Sequence, residues 1–276
     1  MSKESQARPR INKLLEEREC LLVDTPTNYP MIKFKKKFYL FKLTDHYFKT
    51  VSTISNFWRI RKYSFLPVNH PTPMGCIKND FHTVMLDMTL EEDEIIAGFR
   101  NTVRQNIRKA EKMGMVADFD QDLKSFIGFY NTFAKLKGIY PVPESLINEL
   151  KSNFKICWVR YEGEKLYAGL SIYDEGLGIA YDYLAGSCRL DERFDRTTVG
   201  LAGKLMKKAE IMHFKKMGMS KYDFGGYAFE TSDKSLMGIN EYKLSFGGSV
   251  VKLSNFKSIP YFFLTKIAGL LDRRYQ

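Results

Sequence analysis

Apolar positions recur along this chain with two distinct periods, and the alternation between them predicts its elements. Phe81 to Met88 alternates strictly, with His82, Val84, Leu86 and Met88 set against Phe81, Thr83, Met85 and Asp87, and so predicts a strand. Thr89 then predicts an N-cap, with Glu91 and Glu92 in a first turn that favours anions, and one or two helices carry FRNTVRQNIRKAEKMG. Next come a strand over 115–119, a helix over 122–137 ended by Gly138, and a helix over 145–152 behind Pro143. Strands over 154–161, 165–173 and 177–185 are separated by Glu162-Gly163 and Glu175-Gly176, which predicts hairpins.

A long helix follows over 198–217. Its core stripe is Val199, Leu201, Ala202, Leu205, Met206, Ala209 and Met212, with Lys204, Lys207, Lys208 and Lys215 placed mostly outside it. A strand at 221–224, a helix at 233–244 and a strand at 249–253 complete the series. Upstream, 1–19 reads as a polar lead-in, CLLVD and FYLFKL as short strands, and 47–65 as an aromatic run with interleaved cations. The loop PVNHPTPMG, 67–75, is the best internal boundary. The expected organisation is an N-terminal subdomain over 1–80, a mixed α/β domain over 81–256 and an amphipathic C-terminal helix over 257–276.

Charge narrows the partners. Lys and Arg number 43 against 32 Asp and Glu, a net +11 that points to nucleic acid, anionic lipid or phosphorylated ligands. The four cysteines form no CxxC and do not cluster with the four histidines, so neither a zinc site nor a disulfide framework is expected, and no metal. No apolar run reaches a membrane span, and the N-terminus lacks the apolar core of a signal peptide, so the expected location is cytoplasmic. Arg100, Arg104 and Arg108 fall at i, i+4 and i+8 on one helix face, from which guanidinium groups can reach phosphates.

The stretch KYDFGGYAFETSDKSLMGINEYKLSFGG, 221–248, concentrates chemistry. Glycine pairs at both ends enclose Tyr222, Asp223, Glu241, Tyr242 and Lys243, groups able to donate, accept or carry protons. The order β, α, α, β, β, β, α, β, α, β from Met115 to Leu253 resembles the fold of the GNAT N-acetyltransferase superfamily. RNTVRQNIRKAEKMG, YDFGG and EYKLSFGG are similar to phrases of its FemA/FemB/FemX branch, which moves amino acids from aminoacyl-tRNA onto cell-wall precursors.

That resemblance implies the site. Arg196-Thr197-Thr198-Val199-Gly200-Leu201-Ala202 would be the phosphate-binding turn of a GNAT helix, with Arg196 one position early; Arg196, Thr198, Gly200 and Ala202 are its candidates. Asp182-Tyr183-Leu184-Ala185 would be the splaying strand, where Tyr183 and Leu184 meet the donor. Asp182 or Asp223 would take the ammonium proton, Tyr242 would protonate the leaving group, and Lys243 would neutralise a phosphate or the oxyanion. Arg104, Arg108 and Tyr222 are the substrate-binding candidates.

The expected function is transfer of an aminoacyl or acyl group to an amino or hydroxyl group of a cell-envelope or glycan precursor. The co-substrate is acyl-CoA or aminoacyl-tRNA, with no tightly bound cofactor. Two alternatives stay open: an acetyl-CoA-dependent N-acetyltransferase of a small amine or sugar amine, and a non-catalytic RNA- or membrane-binding module. The tail places Tyr261, Phe262, Phe263, Leu264, Ile267, Leu270 and Leu271 on much of one helix surface among cations, either packed on the protein or docked peripherally on an anionic inner membrane face.

Overall fold

A computed structural model describes residues 33–271, apart from 39–40, 51, 140, 145–149 and 151–152. Its strands are β1 (Lys33–Phe38), β2 (Phe41–Tyr47), β3 (Arg61–Pro67), β4 (Cys76–Asp87), β5 (Val116–Asp120), β6 (Phe154–Tyr161), β7 (Glu164–Asp174), β8 (Ile179–Ser187), β9 (Lys221–Tyr227) and β10 (Ser249–Ser258). Its helices are α1 (Glu92–Gly98), α2 (Asn101–Lys112), α3 (Leu123–Lys137), α4 (Arg196–Lys216), α5 (Lys234–Leu244) and α6 (Ile259–Leu271). The strands form one mixed sheet in the order β1-β2-β3-β10-β4-β9-β8-β7-β6-β5.

The period-2 alternation of β6 to β8 sends successive side chains to two cores. Cys157, Val159, Leu166 and Ala180 meet α1, α2 and α4 on one face, joined by Phe246 beyond α5. Ile156, Trp158, Ala168 and Leu170 meet α3 on the other, joined by Tyr47 and Phe48. The predicted hairpins are present: β6, β7 and β8 are antiparallel neighbours.

Several expectations are corrected. Helix α1 is capped by Glu91 in a capping box with Glu94, not by Thr89, whose N–H and hydroxyl bond Asp87 instead. The boundary near residue 80 falls inside β4, which extends back to Cys76. Strand β3 pairs with β10, so the first strands continue the main sheet and do not stand apart from it. FYLFKL, expected as one strand, holds the last residue of β1, Phe38, and the start of β2 at Phe41. The expected lead-in over 1–19, the CLLVD strand and most of the helix over 145–152 lie outside the described residues.

Candidate active site

Strands β8 and β9 run parallel, yet they pair only through Ile179–Lys221, Ala180–Tyr222 and Tyr181–Asp223. Beyond Tyr181 they part. Two devices open this fork. Tyr183 is the extra residue of a bulge in β8 against β7, which re-aims the backbone on either side of it. Gly225 in β9 has φ of 77°, a left-handed conformation that a side chain would strain. Residues 181–185 are half-buried, whereas the flanking Ala180 and Gly186 are buried.

The fork carries a carboxylate on each face of the sheet. Asp223 lies opposite Met85 of β4 and shares its face. One oxygen, Oδ1, accepts from the Thr83 hydroxyl and, at 2.7 Å, from the Gly225 N–H; the other, Oδ2, is buried with no hydrogen-bond partner. Burial pushes this carboxyl up to about 6, against the pull of those bonds and of Lys243.

Asp182 points to the other face, toward α4. Its Oδ2 accepts from Lys207 Nζ at 2.7 Å, and its Oδ1 is buried and unpartnered. Lys207 also bonds Glu210 at 2.6 Å and the Tyr222 hydroxyl at 3.0 Å, and that hydroxyl reaches Glu210 at 2.8 Å. Lys207 is 2% exposed and Glu210 1%. The two flanking carboxylates hold Lys207 well above the usual lysine value despite burial, whereas burial pushes Glu210 up against the opposing pull of Lys207.

Lys243, half-buried, completes the fork. Its Nζ donates to the Gly226 carbonyl at 2.6 Å, and it feels the charge of both Asp182 and Asp223. Burial still lowers its pKa.

Of the sequence candidates, the fold therefore brings together Asp182, Asp223, Lys243, Tyr183 and Leu184. It moves others away from a direct role. Tyr242 spends its hydroxyl on the Gly203 carbonyl at 3.0 Å, and burial raises its pKa, both unsuited to a proton donor. Tyr222 commits its hydroxyl to Lys207 and Glu210, so it serves to position that cluster. Arg104 clamps the last carbonyls of α1, Ala97 at 2.5 Å and Phe99 at 2.9 Å, while Arg108 is exposed two turns from the α2 cap.

At the start of α4, Arg196 is exposed and Gly200 has open space where a side chain would be, but Ala202 is buried in the core. The amide and hydroxyl of Thr198 both bond the Asp195 carboxylate, at 2.8 and 2.9 Å. Asp195 thus already occupies, with its own negative charge, part of the helix terminus expected to take a pyrophosphate.

Sequence reading missed Lys207, Glu210, Thr83 and Asp195. Lys207 was placed outside the core stripe of its helix. The legible signal was Glu210, three residues on, an acid set between Ala209 and Ile211 on a stripe otherwise apolar. A second signal was Gly169 in β7: a Cβ there would run into the Glu210 carboxylate.

A mixed sheet forking between two parallel strands, with a long helix beginning at the open end, defines a FemX-like fold, and this chain has it. It is similar in structure to FemX over 84% of this chain and 85% of that one, with a TM-score of 0.62 at 14% identity. It is also similar to the C-terminal domain of an assigned lysylphosphatidylglycerol synthetase from Agrobacterium fabrum, over 77% and 72% of the two chains, with a TM-score of 0.51 at 10% identity. No protein-family model and no curated protein matches the sequence. Among the described residues no group of His, Cys, Asp and Glu could hold a metal, and no helix is long and apolar enough to cross a membrane.

Proposed function

We propose that this protein is an acyltransferase that joins an aminoacyl group, carried as an ester on tRNA, to an amine of a cell-envelope precursor. The observation that carries the reading is the pair of buried, unpartnered carboxylate oxygens on Asp182 and Asp223 at the mouth of the fork. Buried polar atoms without partners are rare in folded proteins and call for an explanation, of which a catalytic role or a bound molecule is one. An ammonium group would supply the missing donor.

The chemistry follows from the positions. The acceptor ammonium loses a proton to Asp223, whose raised pKa of about 6 makes it a stronger base than an ordinary carboxylate while leaving it ionised at neutral pH. The freed amine attacks the acyl carbon, a C–N bond forms and the ester C–O bond breaks. In this reading Lys243, with its pKa lowered by burial, stabilises the oxyanion, gives a proton to the departing oxygen and takes up the second proton of the attacking nitrogen, which restores its charge. Lys207, fixed by Glu210 and Tyr222, holds Asp182 in place.

The Asp195 cap favours an ester donor over acyl-CoA, because a pyrophosphate would have to displace or face that carboxylate. The similarity to FemX and to a lysylphosphatidylglycerol synthetase domain supports an envelope acceptor. Equilibrium binding of acetyl-CoA and of charged tRNA, side by side across a salt series, tests the donor. We expect tRNA to bind with the steep salt dependence of counterion release. Turnover of acetyl-CoA by a protein that leaves tRNA unbound would instead identify a CoA-dependent N-acetyltransferase.

A further inference from the structure

The end of the molecule where β3, β10 and α6 meet carries a second surface that the transfer chemistry does not use. Ile54, Phe57 and Trp58 lie in and just after a short 3-10 helix (Ile54–Phe57), and they are exposed by 63%, 46% and 64%. Met74 in the next loop, and Phe263 and Ile267 on α6, are exposed by 56%, 58% and 53%. These six side chains come from three segments that specific bonds tie together. Asn56 Nδ2 donates to the Met74 carbonyl at 3.0 Å, and the Ile259 N–H donates to the Gly75 carbonyl at 3.0 Å. The Ser258 hydroxyl donates to the Arg59 carbonyl at 2.8 Å and accepts from the Arg61 N–H at 3.0 Å. Helix α6 packs beside the 3-10 helix. The apolar side chains are therefore displayed on a braced frame.

Cations outnumber acids around that frame. Between Asp45 and Asp80 the chain has Lys49, Arg59, Arg61, Lys62 and Lys78 and no acidic residue; between Glu241 and Asp272 it has Lys243, Lys252, Lys257 and Lys266 and again none. Lys78 and Lys252 are engaged with Asp80. Arg59 and Lys266 are exposed, and Lys257 faces Lys62 directly across the β3–β10 pair.

We infer that this surface docks the protein onto an anionic lipid bilayer, the six apolar side chains entering the acyl boundary and Arg59, Lys257 and Lys266 lying among the headgroups. Exposed aromatic and aliphatic groups ringed by cations match the two attractions that hold peripheral proteins on such membranes. Half of the six are Ile and Met, which give a hydrocarbon phase what they cannot give a stack of nucleic-acid bases. Only part of α6 faces outward: Tyr261 is buried toward Asp45, so the helix is anchored to the sheet and presents Phe263 and Ile267 on its free side.

The sequence supplies a reporter. It has two tryptophans, of which Trp158 is fully buried and Trp58 is the exposed one. With the full chain, titration with phosphatidylcholine vesicles containing phosphatidylglycerol is expected to blue-shift the fluorescence, and acyl chains brominated near the headgroup to quench it. Pure phosphatidylcholine is expected to do neither. Ile54→Ser/Phe263→Ser/Ile267→Ser should weaken co-sedimentation with the anionic vesicles at least about tenfold, while Trp58→Phe should bind but lose the spectral shift. Lys257→Glu/Lys266→Glu, which leaves the apolar face intact, should weaken binding and flatten its salt dependence. Thermal unfolding of each variant shows that the fold is kept. Absence of binding to anionic vesicles overturns the inference. So does binding with Trp58 unshifted and both multiple variants unaffected, or Trp58 quenching by single-stranded RNA but not by vesicles. None of these outcomes bears on the donor experiment.

Discussion

Asp182 and Asp223 stand on neighbouring strands at the point where β8 and β9 part, one facing α4 and the other facing away from it. Each commits one carboxylate oxygen to the protein and leaves the other buried and unpartnered. The fork thus offers acid–base groups to both sides of a sheet that is elsewhere closed by hydrogen bonds. A donor entering from one face and an acceptor from the other would meet at this opening.

If Asp223 is the base, it must be ionised to act. Its pKa of about 6 predicts that kcat/KM for transfer rises with pH through that value and levels above it. Asp223→Asn should lower kcat by roughly 10²- to 10⁴-fold and remove this acidic limb. A pH–rate profile of wild type and variant checks both. A limb that survives in Asp223→Asn would assign the titration to another group.

The same burial makes Asp223 a cost to the fold. A carboxyl whose pKa is raised on folding contributes most below its unfolded value near 4, and that contribution is lost as pH rises through about 6. Asp223→Asn, with an amide oxygen able to accept from Thr83 and Gly225, should therefore be more stable than wild type above pH 6, by on the order of 1–3 kcal/mol. The gain should vanish below about pH 4. Thermal melts across that range measure it, and a variant less stable at pH 7.5 would show that burial is offset by contacts the carboxylate alone makes.

Lys207 is the opposite case. Removing it strands two buried carboxylates, so Lys207→Met should cost about 3–5 kcal/mol in urea unfolding, the penalty for an uncompensated buried charge. Lys207→Met/Glu210→Gln should recover part of this loss. Equal stability of the single and double variants would mean that Glu210 takes up a proton once Lys207 is gone.

Two glycines separate packing from ligand approach. Gly169→Ala drives a methyl into the Glu210 carboxylate and should destabilise by about 1–3 kcal/mol. Gly200→Ala meets nothing and lies in a helix, so it should stabilise by ~0.5–1 kcal/mol. If a donor phosphate nevertheless comes close to α4 there, donor affinity falls while the melting temperature rises. Denaturant unfolding and donor titration on the same samples distinguish the two effects.

Much of this was legible in the chain. The hairpins β6–β7–β8 follow from alternation broken at Glu162-Gly163 and Glu175-Gly176, and α4 from its apolar stripe ended by Gly218. Asp182, Asp223 and Lys243 were nominated from the order of a known fold, and the folded chain brings all three to the fork. Local pattern determines such elements because side-chain period and turn chemistry act over a few residues. What each ionisable group does was decided elsewhere. Lys207 lies at the edge of its helix stripe and becomes buried only because Asp182, Glu210 and Tyr222, from two strands and a turn of α4, converge on it. Tyr242 has a catalytic side chain in sequence and a backbone partner in space, 39 residues away. Arg104 stands in line with two other arginines, yet it closes the end of α1. Whether a charge is catalytic, structural or solvated depends on how much water it keeps and which long-range partners it meets. Only the folded chain settles both.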